Sequence, residues 1–188
     1  PLVGLDDSSK PLRSRLLALH LPHADEMHEA AVIGNELATL YARAVANVLE
    51  GRGVARENVA AIGCHGQTIR HRPDAGYTIQ IGNGALLAEL TGIAVVSDFR
   101  SRDIAAGGEG APLVPAFHQA AFASPGVHRV IVNIGGIANL TDLAVHRETR
   151  GFDTGPGNML MDAWIQRQQA KPFDRNGAWA QGGRVDET

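Results

Sequence analysis

Gly151-Phe152-Asp153-Thr154-Gly155-Pro156-Gly157-Asn158 reads as a strand end carrying an acid, a tight Gly-Pro-Gly turn and the start of a helix. Just upstream, residues 129–141 (Arg-Val-Ile-Val-Asn-Ile-Gly-Gly-Ile-Ala-Asn-Leu-Thr) read as two short strands around Gly135-Gly136. Glycine lets a backbone approach a ligand with no side chain in the way. Successive turn amides can form an anion-binding concavity. A carboxylate beside such a turn suits a base next to a phosphate site. A plainer reading stays open, two structural turns with an Asp capping a helix, because glycine turns join elements in every α/β protein.

The rest of the chain reads as α/β. Residues 25–51 form the clearest helix: Ile33, Leu37, Leu40, Ala44 and Val48 recur at spacings of three and four, and glycines follow at 51 and 53. Residues 59–64 are a short, continuously apolar strand of the kind buried on both faces. Ligands gather beyond the carboxyl ends of such strands, which puts His65, Gln67 and Thr68 at a site mouth or in a polar turn before a hairpin. A strand over 77–82, a helix over 85–90 and a buried strand over 93–96 imply a βαβ unit with at least partly parallel pairing.

Residues 97–112 mix Asp98, Arg100, Arg102 and Asp103 with three glycines. Arg100 or Arg102 suits a carboxylate or phosphate, with Asp98 and Asp103 orienting hydroxyls or that arginine. The alternative is a solvated loop with weak local ion pairs, and the strand-end position favours the site. A helix over 113–123 is expected to turn Val114, Phe117 and Phe122 inward, and Ser124-Pro125-Gly126 is a candidate domain boundary. A helix over 158–169 groups Met161, Trp164 and Ile165. His20, His23 and His28 lack a ligand pattern and read as solvated.

At 188 residues the chain is one large domain or one and a half. Only 5% of residues are aromatic, so aliphatic side chains must build the core. A net charge of −3 argues against nucleic acid or an anionic membrane as partner. No apolar run reaches the roughly 18–20 residues that span a bilayer. The single cysteine, Cys64, fits a reducing, cytoplasmic setting. Neither a Walker A motif nor a complete Gly-x-Gly-x-x-Gly occurs, so a P-loop or Rossmann site is unsupported. Pro1 at the start and a polar finish at 184–188 give the expectation of an internal piece of a longer polypeptide.

Gly63-Cys64-His65-Gly66-Gln67-Thr68, Ile79-Gln80-Ile81-Gly82, Ser97-Asp98-Phe99-Arg100, residues 103–115, 132–141 and 151–158, with Phe173-Asp174 and Gly177, occur together in this order. In them the chain resembles the anhydro-N-acetylmuramic acid kinases, from about residue 60 onward. The resemblance implies an actin-like (ribonuclease H-like) ATPase architecture, two α/β domains with a central cleft. Residues 1–125 would form most of the first, sugar-binding domain, and 126–188 the start of the second. It implies ATP with Mg²⁺, a small sugar substrate and a homodimer. The reaction would be hydrolytic opening of 1,6-anhydro-N-acetylmuramic acid with phosphorylation of O6, in cell-wall recycling. Asp153 matches the catalytic base; Thr68, Gln80, Arg100 and Asp103 match sugar contacts; Asn133, Gly135, Gly136, Asn139 and Gly155 would face the ATP phosphates. The family's N-terminal glycine-rich hairpin and adenosine-binding part have no counterpart in these 188 residues, which would make this chain alone inactive. A non-catalytic sugar-binding module of the same fold is the competing expectation.

Overall fold

The chain divides into two compact units, residues up to Gly110 and residues from Ala111. The computed structural model describes residues 10–22 and 24–185; His23 and the expectations for residues 1–9 fall outside these.

The first unit is built on a long helix. After α1 (Lys10–Ala18), α2 runs Glu26–Arg52 and ends at Gly53 as expected. Its buried residues are Ile33, Gly34, Leu37 and Ala38, whereas Val48 at the far end of the stripe is 63% exposed. Ile33 and Leu37 pack with Leu19, Ile69 and Ile81, and Leu12, Leu16 and Tyr41 lie against that core. Ile69 and Ile81 come from an antiparallel hairpin, β2 (Gln67–Arg72) and β3 (Tyr77–Ile81), so the segment after His65 is a strand and not only a site mouth. Arg70 ties the hairpin to the helices by donating to the Leu19 carbonyl and, at 2.5 Å, to Glu26.

The apolar run 59–64 contributes only β1 (Ile62–Gly63), paired in parallel with β4 (Val95–Val96). With one neighbouring strand it is not buried on both faces: Ile62 is half-buried and Gly63 exposed. The parallel pairing expected between the flanks of the 85–90 helix instead joins β4 to β1, with the hairpin and α3 (Gly84–Thr91) between them in the chain. Asn83 caps α3, its Oδ1 accepting from the Leu86 amide at 2.9 Å, and Leu87 is buried. Residues 97–112 contain a short helix, α4 (Ser101–Ala105), started by Asp98 Oδ1, which accepts from the Ser101 amide and hydroxyl.

The second unit is an antiparallel sheet, β5 (Arg129–Ile134), β6 (Ile137–Leu143) and β7 (Arg150–Pro156), in that order. α5 (Val114–Phe122) packs against β6 and β7. That packing puts the helix with the second unit. α5 does not turn its phenylalanines inward: Phe117 is 63% exposed and Phe122 40%, and the buried residue is His118. His118 Nδ1 lies 2.8 Å from the hydroxyl of Thr141, which is fully buried. This polar pair takes the inner position the apolar pattern assigned to phenylalanine. In α6 (Met159–Gln169) only Ile165 is buried, while Met161 and Trp164 are over half exposed. A last turn of helix, α7 (Ala178–Gln181), is capped by Asp174, whose two oxygens accept from the Trp179 and Ala180 amides at 3.0 Å each.

Candidate functional site

Each unit gathers part of the expected site. In the first, Thr68 and Gln80 are cross-strand partners at the open end of the hairpin. Gln80 Nε2 donates to the hydroxyls of Thr68 (3.3 Å) and Thr78 (2.7 Å), and no hydrogen bond among the described residues engages its Oε1. Gln67 is committed elsewhere, donating to the Tyr41 hydroxyl at 3.1 Å. Burial pushes the Tyr41 phenol above its ordinary value, and the Gln67 amide works against that. Gln80 lines a cavity of about 70 Å³ with His65, Ser97 and Asp98, and an open groove of about 540 Å³ with Gly34, Asn35 and Asn83.

Arg100 and Asp103 are joined through one residue, Gly110. Arg100 Nη1 donates to the Gly110 carbonyl at 2.6 Å, and the Gly110 amide donates to Asp103 Oδ2 at 2.8 Å. Gly110 sits at φ +69°, where a Cβ would come within 2.8 Å of the Ile104 side chain. Its neighbour Gly108 lies so close to the Asp103 carboxylate that a Cβ would overlap it. The glycine-rich loop is thus the seat of this carboxylate. The second anchor of Arg100 is His65, whose Nε2 lies 2.8 Å from Arg100 Nε.

In the second unit three side chains form a row across the sheet. Asn133 pairs with Asn139 across β5 and β6, and Asn139 pairs with Asp153 across β6 and β7. Directly opposed residues project to the same face. An irregularity between Ala138 and Asn139 brings Asp153 into this register. Asn139 Oδ1 is buried without a hydrogen-bond donor, and no hydrogen bond or ion pair among the described residues engages the exposed Asp153 carboxylate. The two glycine turns interlock. The Gly157 and Asn158 amides donate to the Gly136 and Gly135 carbonyls, each at 2.8 Å, and Met159 N reaches Gly136 O at 3.3 Å. A Cβ on Gly157 would overlap the Gly135 carbonyl oxygen. Those three amides therefore hold the Gly135-Gly136 turn in place, and Thr154 adds a bond from its hydroxyl to the Ala138 carbonyl at 3.1 Å. Gly155, at φ +132°, lies opposite Ala138 at the same end of the sheet.

The second unit thus carries two interlocked glycine turns and an acid that no described residue engages, and the first unit carries a polar cluster with an arginine held at two points. A sequence profile of the anhydro-N-acetylmuramic acid kinase family matches residues 7–188. The chain belongs to that family. It is 67% identical over 174 residues to the anhydro-N-acetylmuramic acid kinase of Thiobacillus denitrificans, covering 93% of this chain and 46% of that protein. To the enzyme of the same name from Chromobacterium violaceum it is 52% identical over 197 residues, covering 98% and 54%. The chain spans about half the length of the curated relatives it matches. The family is one of kinases, consistent with a mixed α/β chain in which, among the described residues, no helix is long and apolar enough to cross a membrane.

Sequence reading missed the parts that act through others. His65 was a ligand candidate, but its ring is occupied by Arg100 and by the Gly66 carbonyl at 3.1 Å. Gly108 and Gly110 read only as loop residues, although two glycines flanking one acid, Glu109, were a signal of close packing. Asn35 and Asn83, bonded side chain to side chain at 2.8 Å, carried no recognisable signal.

Proposed function

We propose that the whole protein is an ATP-dependent kinase that opens 1,6-anhydro-N-acetylmuramic acid with water and phosphorylates O6, giving N-acetylmuramic acid 6-phosphate for cell-wall recycling. The observation that carries this reading is the Asp153 carboxylate. It stands opposite Asn139 with no partner among the described residues, beside two interlocked glycine turns, in a chain of this kinase family. A carboxylate free of cationic partners keeps its lone pairs for a proton, and general bases of this type contribute about 10²–10⁴-fold. Asp153 takes the proton of the water that attacks the anomeric carbon. Thr68 and Gln80 hold sugar hydroxyls, Arg100 holds the lactyl carboxylate, and Asp103 keeps Arg100 in place through Gly110.

The residues present fit a magnesium nucleotide. Asn139 Oδ1 is a buried acceptor with no donor among the described residues, which a water of a hydrated Mg²⁺ would satisfy. Asn133, Gly135, Gly136, Asn139 and Gly155 would lie along the phosphates, the glycines admitting close backbone approach. When bound, Mg²⁺ and ATP supply the phosphoryl group and neutralise its charge. The same reading gives the whole protein an actin-like, two-domain architecture, a cytoplasmic location and a homodimeric state.

The test is Asp153→Asn in the full-length protein. Turnover is expected to fall about 10²–10⁴-fold while calorimetric affinity for the sugar is kept. Turnover near wild type removes Asp153 from the chemistry, and a wild type that binds the sugar without converting it is a sugar-binding module.

A further inference from the structure

Both ring nitrogens of His65 are engaged, and their partners leave one tautomer. Nδ1 lies 3.1 Å from the Gly66 carbonyl oxygen, which only accepts, so Nδ1 carries the proton. Nε2 lies 2.8 Å from Arg100 Nε, which only donates, so Nε2 is a bare lone pair. The imidazole is neutral and acts as a strut between a backbone carbonyl and a guanidinium. Arg100 is held a second time by Nη1 on the Gly110 carbonyl, at 2.6 Å. Two anchors at different corners fix the plane of the fork. Nη2 is then the one guanidinium nitrogen with no protein partner among the described residues.

We infer that His65 is a positioning residue that fixes Arg100 for the carboxylate of an acidic sugar, and through it sets a preference for sugars bearing that group. This rests on the kinase reading above. A free arginine loses rotamer freedom when it binds an anion, whereas a fork already held loses less. His65 is suited to the task because a neutral acceptor holds the guanidinium without cancelling its charge. A carboxylate at the same position would form an ion pair with the arginine and weaken its hold on an anionic ligand.

The experiment uses the full-length protein, ATP and Mg²⁺ with two sugars, 1,6-anhydro-N-acetylmuramic acid and 1,6-anhydro-N-acetylglucosamine, which lacks the lactyl carboxylate. His65→Ala is expected to raise KM for the acidic sugar about tenfold with kcat little changed, and to leave the neutral sugar nearly unaffected. His65→Gln places an amide oxygen where Nε2 accepts and is expected to restore most of the preference. An equal loss on both sugars, or an unchanged preference in His65→Ala, overturns the inference. Calorimetric affinities for the two sugars make the same comparison without turnover. Wild type that converts neither sugar but binds the acidic one more tightly, with that margin lost in His65→Ala, ends the kinase reading and keeps the inference. Wild type that binds neither ends both.

Discussion

Asn139 and Asp153 stand directly opposite each other on β6 and β7, and among the described residues neither Asn139 Oδ1 nor the Asp153 carboxylate has a donor. A buried acceptor left unpaired costs about 1–3 kcal/mol. Asn139→Ala removes that cost along with some packing, so its stability to urea is expected to stay within about 1 kcal/mol of wild type. Turnover of the full-length protein is expected to fall at least about tenfold. A large loss of stability with normal turnover would make Asn139 a structural residue.

Gly157→Ala tests the interlock of the two turns. The added methyl meets the Gly135 carbonyl oxygen, part of the backbone, which cannot swing aside. The bonds from the Gly157 and Asn158 amides must lengthen or break. A loss of about 1–3 kcal/mol is expected, with a fall in kcat at saturating sugar. Wild-type stability and kcat would show that the two turns move independently.

Thr141→Val separates shape from hydrogen bonding in the second unit. Valine fills the space of threonine but leaves the buried His118 without its 2.8 Å partner. Denaturation is expected to show a loss of about 1–3 kcal/mol, and Thr141→Ser a smaller one. Equal stability of the valine variant would mean that His118 finds another partner.

Much of this architecture was legible in the sequence. The spacing of Ile33 and Leu37 marks α2, and the Gly135-Gly136 turn marks a hairpin, in which Asn133 and Asn139 each stand three residues from Gly136 and pair. The partnership of Asn139 with Asp153 was not, because it depends on the irregularity beside Ala138. β2 escaped notice because Gln-Thr-Ile-Arg-His-Arg offers one apolar residue, Ile69, and its polar neighbours are satisfied by cross-strand partners such as Gln80. His118 was masked by Phe117 and Phe122, since periodicity ranks residues by hydropathy and not by available hydrogen bonds. The link from His65 to Arg100 spans 35 positions and has no local signature.

Asp174 gives a pH dependence. The amides of Trp179 and then Ala180 hold its carboxyl below the usual carboxylate range. A depressed folded value means its stabilisation is fully present above the unfolded value, about 3.9, and is lost as pH falls through the folded value. The stability gap between wild type and Asp174→Asn is therefore expected to be constant between about pH 7 and pH 5 and to close below about pH 4. A gap that does not narrow as pH falls below about 4 would contradict that role for the charge.

The central claim, a base that delivers water to the sugar before phosphoryl transfer, is tested most directly with heavy-oxygen water. The full-length protein is incubated with ATP, Mg²⁺ and 1,6-anhydro-N-acetylmuramic acid, and the product is weighed by mass spectrometry. The account predicts a phosphorylated sugar carrying one solvent oxygen, formed by wild type and nearly lost in Asp153→Asn. A phosphorylated sugar without the label would contradict it, leaving a kinase in which Asp153 activates no water.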